Sequence, residues 1–175
     1  MLRAADSEIV LTDSSFACLS FLEDETCQLF ELMVTKADDI ETRLLLDIIL
    51  QETRKHRELL KHLSMILGES AIASGNECGG MGEWFMKAVA LTRTVKAEVQ
   101  GGMSIPEAAR KLISFENDAG EEYVTQAHAA ARALDQENQA VKTVLENIAT
   151  DEKGHAEILH LVTEVASKKS LLKSS

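Results

Sequence analysis

The sequence predicts an all-α protein built from four long helices, and three features carry this prediction. Proline occurs once in 175 residues, and aromatic residues make up only 4% of the chain. Long segments are rich in Leu, Ala, Glu and Lys, which are among the better helix formers. Apolar residues in these segments recur every three or four positions, as they do on one face of a helix. A chain of this length forms about one domain and can bury a core without disulfides or metals.

The first two helices are predicted at about residues 14–36 and 38–67. Asp38 followed by Glu41 resembles a capping box, which places the start of the second helix there. Because only a few residues link the two helices, they must be antiparallel neighbours.

A long connection follows the second helix. Residues 70–82 are a Gly-rich loop, residues 83–100 predict an extra helix, and a Gly-Gly pair ends that helix. The third and fourth main helices are predicted at about 104–134 and 139–168. Two short-looped helix pairs joined by one long crossover are the connectivity of ferritin-like four-helix bundles, rather than of simple up-down-up-down bundles.

Charge and hydropathy exclude two classes of partner. The net charge of −11 repels phosphate backbones, and no cluster of Lys and Arg offsets it, which argues against nucleic acid. No apolar run approaches the roughly 20 residues that span a bilayer, and residues 1–15 lack the apolar core of a signal peptide. We therefore predict a cytoplasmic protein without membrane contact.

The three cysteines are predicted to be free thiols that serve as packing residues. Cys18, Cys27 and Cys78 are odd in number and contain no Cys-x-x-Cys pair. This pattern argues against a disulfide framework and against a zinc or rubredoxin-type iron site.

An internal repeat places acidic and histidine residues at matching positions in the two halves. Residues 21–25 match residues 114–118, and an aromatic residue follows each central glutamate by seven positions. Residues 52–60 match residues 151–159, with a histidine at the fifth position of each segment. Each half thus has one carboxylate on its first helix, and a carboxylate with a histidine on its second. The candidate metal ligands are Glu23, Glu52 and His56 in the first half and Glu116, Glu152 and His155 in the second.

Helical geometry predicts that these side chains face the core. At about 100° per residue, Glu52 and His56 lie about 40° apart on the apolar stripe of their helix. Several buried carboxylates would repel one another unless a cation compensates them. Carboxylate oxygens with imidazoles suit a pair of iron or manganese ions. The other histidines are predicted to lie on the surface: His62, His128 and His160.

The second half resembles the second helix pair of rubrerythrin-like members of the ferritin-like superfamily. The resemblance is carried by residues 108–116, Tyr123 and residues 145–159, which contain the Glu-x-x-His motif; the first half matches through Glu23 and the segment around His56. It implies a non-haem di-iron oxidoreductase, of peroxidase or ferroxidase type, acting on peroxide, oxygen or ferrous ion. It also implies a ligand set made of one Glu from each of two helices and a Glu-x-x-His motif from each of the other two.

Tyr123 has two interpretations. It is either a hydrogen-bond donor or redox-active phenol near the metals, or a core aromatic with its hydroxyl satisfied, and the general behaviour of tyrosine favours the second.

The sequence departs from the rubrerythrin-like pattern in two places. Thr53 stands where the family has the glutamate three residues before His56, and Glu52 is the nearest carboxylate. We therefore expect one tight metal position, at Glu116, Glu152 and His155, and one weak position. The rubredoxin-like domain is also missing, so that any electron donor must be a separate molecule, and we expect a homo-oligomer, in the first instance a dimer. The alternative is a non-enzymatic helical bundle that binds partner proteins.

Overall fold

The chain is all-helical in the computed structural model, which describes residues 15–70, 75–133 and 139–173. Those residues contain five α-helices, one 3-10 helix at Gly75–Met81 and no strand, which confirms the all-α prediction. No helix among them is both long and apolar enough to cross a membrane. The α-helices are α1 (Ser15–Lys36), α2 (Ile40–Ile66), α3 (Gly82–Gln100), α4 (Ile105–Ala133) and α5 (Gln139–Lys173).

The start of α1 is capped by a residue from beyond the end of α2. The backbone N–H groups of Phe16 and Ala17 donate to the carboxylate of Glu69, over 3.3 and 2.8 Å. The first N–H groups of a helix have no hydrogen-bond partner inside the helix, and a negative charge near them also interacts favourably with the helix dipole. This contact fixes the loop after α2 to the start of α1.

The second helix begins one residue later than the sequence pattern indicates. Asp39, and not Asp38, is the N-cap, and its side chain accepts a hydrogen bond from the backbone N–H of Thr42. This register buries Thr42 against the core, whereas Asp38 stays exposed. The predicted capping box of Asp38 and Glu41 was therefore wrong by one position.

Contacts between α1 and α2 show that the two helices are antiparallel. Arg57 pairs with Asp24 at 3.0 Å, and Arg54 pairs with Glu31 at 2.7 Å. The partner number on α1 thus rises as the residue number on α2 falls. The short link between the helices requires this direction.

The directions of α4 and α5 follow in the same way. On α2 and α5, Lys55 lies 2.6 Å from Asp151, and Glu52 lies 2.9 Å from His155, so these helices are antiparallel. Glu116 of α4 lies opposite His155, while four residues later α4 approaches residue 149, so α4 and α5 are also antiparallel. Hence α2 and α4 run in the same direction, which a long crossover between them makes feasible.

Gly120 lets α4 and α5 approach each other closely beside the acidic cluster. A Cβ atom at this position would lie 3.1 Å from the carbonyl oxygen of Ala149 and 3.5 Å from the Cβ of Glu152. The missing side chain therefore brings the backbone of α4 against the segment of α5 that carries Glu152.

Apolar side chains form two clusters at different heights along the helices. The smaller one contains Phe16 and Leu19 of α1, Leu60 of α2 and Leu145 of α5. The larger one is formed by residues of all five helices and includes Phe85 of α3. On α2 and α5, four buried polar residues lie between the residues that enter the two clusters: Thr53, His56, Glu152 and His155. On α1, Glu23 directly follows Leu22 of the larger cluster. A polar layer is thus enclosed between two apolar ones.

A disulfide ties the crossover to α1. Cys18 and Cys78 are bonded, with their Cα atoms 5.7 Å apart and a sequence separation of 60, whereas Cys27 is free and buried. The prediction of three free thiols was wrong for this pair. The spacing of these two cysteines in the sequence does not indicate a disulfide, because the residues meet only when the crossover folds back onto α1.

The disulfide generates a testable prediction. Closing a loop of this length restricts the unfolded chain and stabilises the fold by about 4 kcal/mol in the chain-entropy treatment. We expect TCEP to lower the urea midpoint of the wild-type protein, and Cys78→Ala to have a similarly low midpoint that TCEP does not change. Alkylation of denatured protein should modify one cysteine before reduction and three after it. Three modified cysteines before reduction would contradict the pairing.

Candidate metal centre

Five acidic and histidine side chains from four helices meet in the polar layer. They are Glu23 of α1, His56 of α2, Glu116 of α4, and Glu152 and His155 of α5, and each is between 0 and 4% exposed. They form two groups of three whose potential ligand atoms lie within 4.8 Å of one another, and both groups include Glu152. The structure thus brings these five predicted residues together, and their role as metal ligands stays a prediction.

The first group contains Glu23, His56 and Glu152. Nδ1 of His56 lies 3.0 Å from Oε1 of Glu152 and 4.0 Å from Oε1 of Glu23. One imidazole nitrogen therefore faces two carboxylates that come from different helices.

The second group contains Glu116, Glu152 and His155 and repeats this pattern. Nδ1 of His155 lies 3.4 Å from Oε2 of Glu116 and 3.6 Å from Oε2 of Glu152. The centroids of the two imidazole rings are 5.8 Å apart. Glu152 therefore presents one oxygen to each histidine, a position suited to a carboxylate shared by two cations.

The outer nitrogen of each histidine contacts a carboxylate of the opposite half. Nε2 of His56 lies 3.0 Å from Asp151, and Nε2 of His155 lies 2.9 Å from Glu52. A carboxylate that accepts the outer N–H of an imidazole orients the ring and leaves Nδ1 directed at the cluster, as is common for metal-binding histidines. Asp151 also accepts a hydrogen bond from Lys55 at 2.6 Å.

Glu52 is therefore placed differently from the sequence prediction. Its side chain is 36% exposed and belongs to neither group of potential ligands, while the neighbouring Thr53 is 1% exposed. In the repeat Glu52 aligns with Asp151, and Thr53 aligns with Glu152. The alignment thus contained the signal that Asp151 and Glu52 form a matching pair outside the cluster, and sequence reasoning overlooked Asp151.

Three buried atoms of the cluster make no hydrogen bond of good geometry within the described part of the chain: both carboxylate oxygens of Glu116 and Nδ1 of His56. Nδ1 of His56 lies close to Oε1 of Glu152, and Oε2 of Glu116 lies close to Nδ1 of His155, but the angles do not suit a hydrogen bond. Leaving a buried polar atom without a partner costs about 1–3 kcal/mol, and more for a charged group. Nδ1 of His56 and Oε2 of Glu116 face other potential ligand atoms of the cluster, and imidazole nitrogens and carboxylate oxygens are good metal ligands. The residues present therefore fit a pair of bound cations.

Burial and mutual repulsion change the pKa values of the cluster. Burial, reinforced by the charge of Glu152, raises the pKa of Glu116 to about 8. Burial would lower the pKa of His56, but Glu152 and Glu23 outweigh it and raise that pKa to about 9. In the same way Glu116 and Glu152 raise the pKa of His155 to about 11 against the effect of burial. Without metal, the cluster therefore compensates its negative charge by holding protons.

The remaining candidate residues either lie outside the cluster or have side chains outside the part of the chain that the structure describes. His62 and His160 are exposed, as the sequence predicts. The side chains of Tyr123 and His128 lie outside the described residues, although both positions belong to α4. Tyr123 therefore stays a prediction.

The pKa values predict the pH dependence of the metal-free protein. Glu116, His56 and His155 bind protons more tightly when folded than their ordinary pKa values allow. Their stabilising contributions are complete below the unfolded pKa values and are lost as pH rises through the folded ones. We expect the free energy of unfolding in EDTA to fall between pH 6.5 and 8.5, by up to about 1.4 kcal/mol per pH unit for each retained proton.

Urea titrations across this range would test the expectation. The exposed-histidine variant His62→Asn/His160→Asn should keep the slope, whereas Glu152→Gln should flatten it by removing the charge that both buried histidines share. A wild-type profile without slope would contradict the protonated cluster.

Comparison with protein-family models, with curated proteins and with solved structures gives no significant match for this chain.

Proposed function

We propose that the protein is a ferritin-like four-helix bundle that binds two metal ions, iron in the first instance, through Glu23, His56, Glu116, Glu152 and His155. The observation that carries the proposal is the buried cluster of two three-residue groups that share Glu152. In this reading Glu23 and His56 hold one ion, Glu116 and His155 hold the other, and Glu152 serves both. Asp151 and Glu52 orient the two imidazoles.

The ligand chemistry supports iron or manganese. Three carboxylates and two imidazoles are hard to borderline ligands, and thiolates, which favour zinc or copper(I), are missing from both groups. Cys27 is a free, buried thiol, and burial and the charge of Glu23 raise its pKa to about 12, so that it stays protonated at neutral pH.

The resemblance to rubrerythrin-like proteins suggests an oxidoreductase that acts on peroxide, oxygen or ferrous ion. Bound iron would supply two accessible oxidation states. The chain's own residues would supply a dry, enclosed site: the cluster is almost fully buried and lies between two apolar layers. Glu152, Glu23 and Glu116 would offset the charge of the ions, and electrons would come from a separate donor.

The second candidate function is a helical bundle without catalytic activity that binds partner proteins. The observation that favours it is the charge balance of the metal-free cluster, because protonated His56 and His155 already neutralise carboxylates. Thr53 also favours this function, because it occupies a buried position where a carboxylate would strengthen metal binding. Metal content, and a near-ultraviolet oxo-to-iron absorption band after aerobic oxidation, distinguish the two functions.

Metal binding should raise the stability of the protein. A ligand that binds only the folded state stabilises it by about 2.7 kcal/mol when its free concentration is a hundred times its Kd. We expect Fe(II) without oxygen, or Mn(II), to raise the Tm of EDTA-treated protein, and Glu116→Gln/Glu152→Gln to abolish this increase.

The matched control for that variant is Glu121→Gln/Glu157→Gln, which changes two exposed glutamates on the same two helices. It removes the same formal charge from α4 and α5 but leaves the cluster intact, so its Tm should respond to metal as the wild type does. An unchanged Tm for metal-treated wild-type protein would leave the non-catalytic function as the better account.

The two metal equivalents should differ in affinity. Two divalent ions bring four positive charges, whereas Glu23, Glu116 and Glu152 supply three negative ones. The second ion must therefore bind against the charge of the first with too little compensation. We expect titration with Mn(II) to give one tight and one weak equivalent, and Thr53→Glu to strengthen the weak one, while Thr53→Gln, of similar size, should not. Two equally tight equivalents in the wild type would refute this.

A further inference from the structure

Three large apolar side chains form an exposed stripe along the first half of α2. Ile40, Leu44 and Ile48 are spaced by four residues, so they lie on one side of the helix, and each is between 41 and 74% exposed. The opposite side of α2 carries the core residues Leu46 and Ile49, which are fully buried. Apolar residues thus occupy both sides of this part of the helix.

Leu161 adds an exposed apolar side chain on the neighbouring helix α5, which is antiparallel to α2. Ten residues from the ion pair of Lys55 with Asp151, α5 reaches Leu161 and α2 reaches the turn between Leu44 and Ile48. Leu161 therefore lies at the same height as the stripe. Together these residues form a surface that we call the outer apolar patch: Ile40, Leu44, Ile48 and Leu161.

The internal repeat shows that the fold does not require apolar residues at these positions. In the register that the two buried histidines set, the core residues Leu46 and Leu145 match, as do Ile49 and Ile148. Each residue of the patch, by contrast, aligns with an exposed polar residue: Ile40 with Gln139, Leu44 with Thr143, Ile48 with Asn147 and Leu161 with His62. The two halves therefore agree in the core and differ at the patch.

The other outer faces of the bundle are more polar. The exposed residues of α1, and those of α4 within the described part of the chain, are all polar or charged. The other large apolar residues described as exposed are Met86 of α3 and Met65, Ile66 and Leu67 at the end of α2. Contiguous exposed apolar surface of this kind marks a site of contact with another molecule.

The charges along α2 identify a second copy of the chain as a suitable partner. Asp38 and Glu41 are exposed at the start of the stripe, whereas Lys55 and Lys61 are exposed beyond its end. An antiparallel α2 from a second copy places the basic part of one helix near the acidic part of the other, at both ends of the contact. A parallel α2 would place like charges together. Contact of one surface with itself about a two-fold axis is also the commonest arrangement of homodimers.

We propose that two copies of the chain associate through the outer apolar patch. In this dimer α2 is antiparallel to α2 of the second copy, and Leu44 of each copy packs against Ile48 of the other. The patch contains no residue of the candidate metal centre, so the association goes beyond the proposed function and does not depend on it. The stripe spans only about 12 Å along α2. Because such an interface is small, we expect a reversible dimer with a dissociation constant on the order of 10 µM.

Sedimentation equilibrium of the full chain measures this association. We expect the average mass to rise from 19.2 kDa towards twice that value as the protein concentration increases through the micromolar range. The test variant is Leu44→Thr/Ile48→Asn, which introduces the residues that the repeat has at the matching exposed positions of α5. It should weaken the dimer about tenfold or more, as the loss of a central contact does. The matched control Met65→Gln/Met86→Gln changes two exposed apolar residues outside the patch and should associate as the wild type does.

Exchange of charges tests the direction of the two helices. Glu41→Lys and Lys55→Glu should each weaken the dimer severalfold, because like charges then meet, whereas Glu41→Lys/Lys55→Glu should restore it. Failure of this double variant to restore association would overturn the antiparallel arrangement.

The remaining outcomes concern the patch itself. Leu161→His, which also copies the repeat, should weaken the dimer and provides a second test if the variant at positions 44 and 48 does not fold. A wild type that stays at 19.2 kDa at every concentration would overturn the proposal and assign the patch to a different protein. Patch variants that associate as the wild type does would overturn it as well, since the dimer would then use another surface.

Discussion

The burial of three carboxylates between two apolar layers is the constraint on which the arrangement of the helices depends. Glu23, Glu116 and Glu152 arrive from three different helices, so that each helix must place a charged group at the same height. Such groups are tolerated only when a positive charge compensates them, and the two histidines provide it as imidazolium ions or as metal ligands. The polar layer therefore specifies the register of α1, α2, α4 and α5 relative to one another.

Much of the fold and of the cluster could be predicted from the sequence, because helical periodicity and the repeat are local signals. Periodicity distinguishes the inner from the outer face of a helix, and the repeat indicated which polar residues share the inner one. Periodicity alone could not decide between Glu52 and Thr53, since adjacent positions differ by only about 100° and the rotation of α2 is set by its packing. The disulfide depends on how the crossover folds back, which no local pattern encodes.

Shared use of Glu152 makes the two halves of the chain interdependent. The first half contributes Glu23 and His56, but its own repeat position has Thr53, so its group is completed only by α5. The outer contacts cross in the same way, from Asp151 to His56 and from Glu52 to His155. A duplicated hairpin has therefore become a single cooperative unit in which neither half has a complete set of its own.

The bond between Cys18 and Cys78 also determines how the chain would respond to tension applied at its ends. The two residues are 60 positions apart and enclose the whole of α2. A pulling force would pass from α1 to the crossover through the disulfide, so that the segment between the two cysteines would bear no tension. At about 3.5 Å per extended residue, roughly 200 Å of chain would stay hidden until the bridge is reduced. Mechanically, the protein is thus a shorter chain than its sequence suggests, with α2 protected inside a covalent ring.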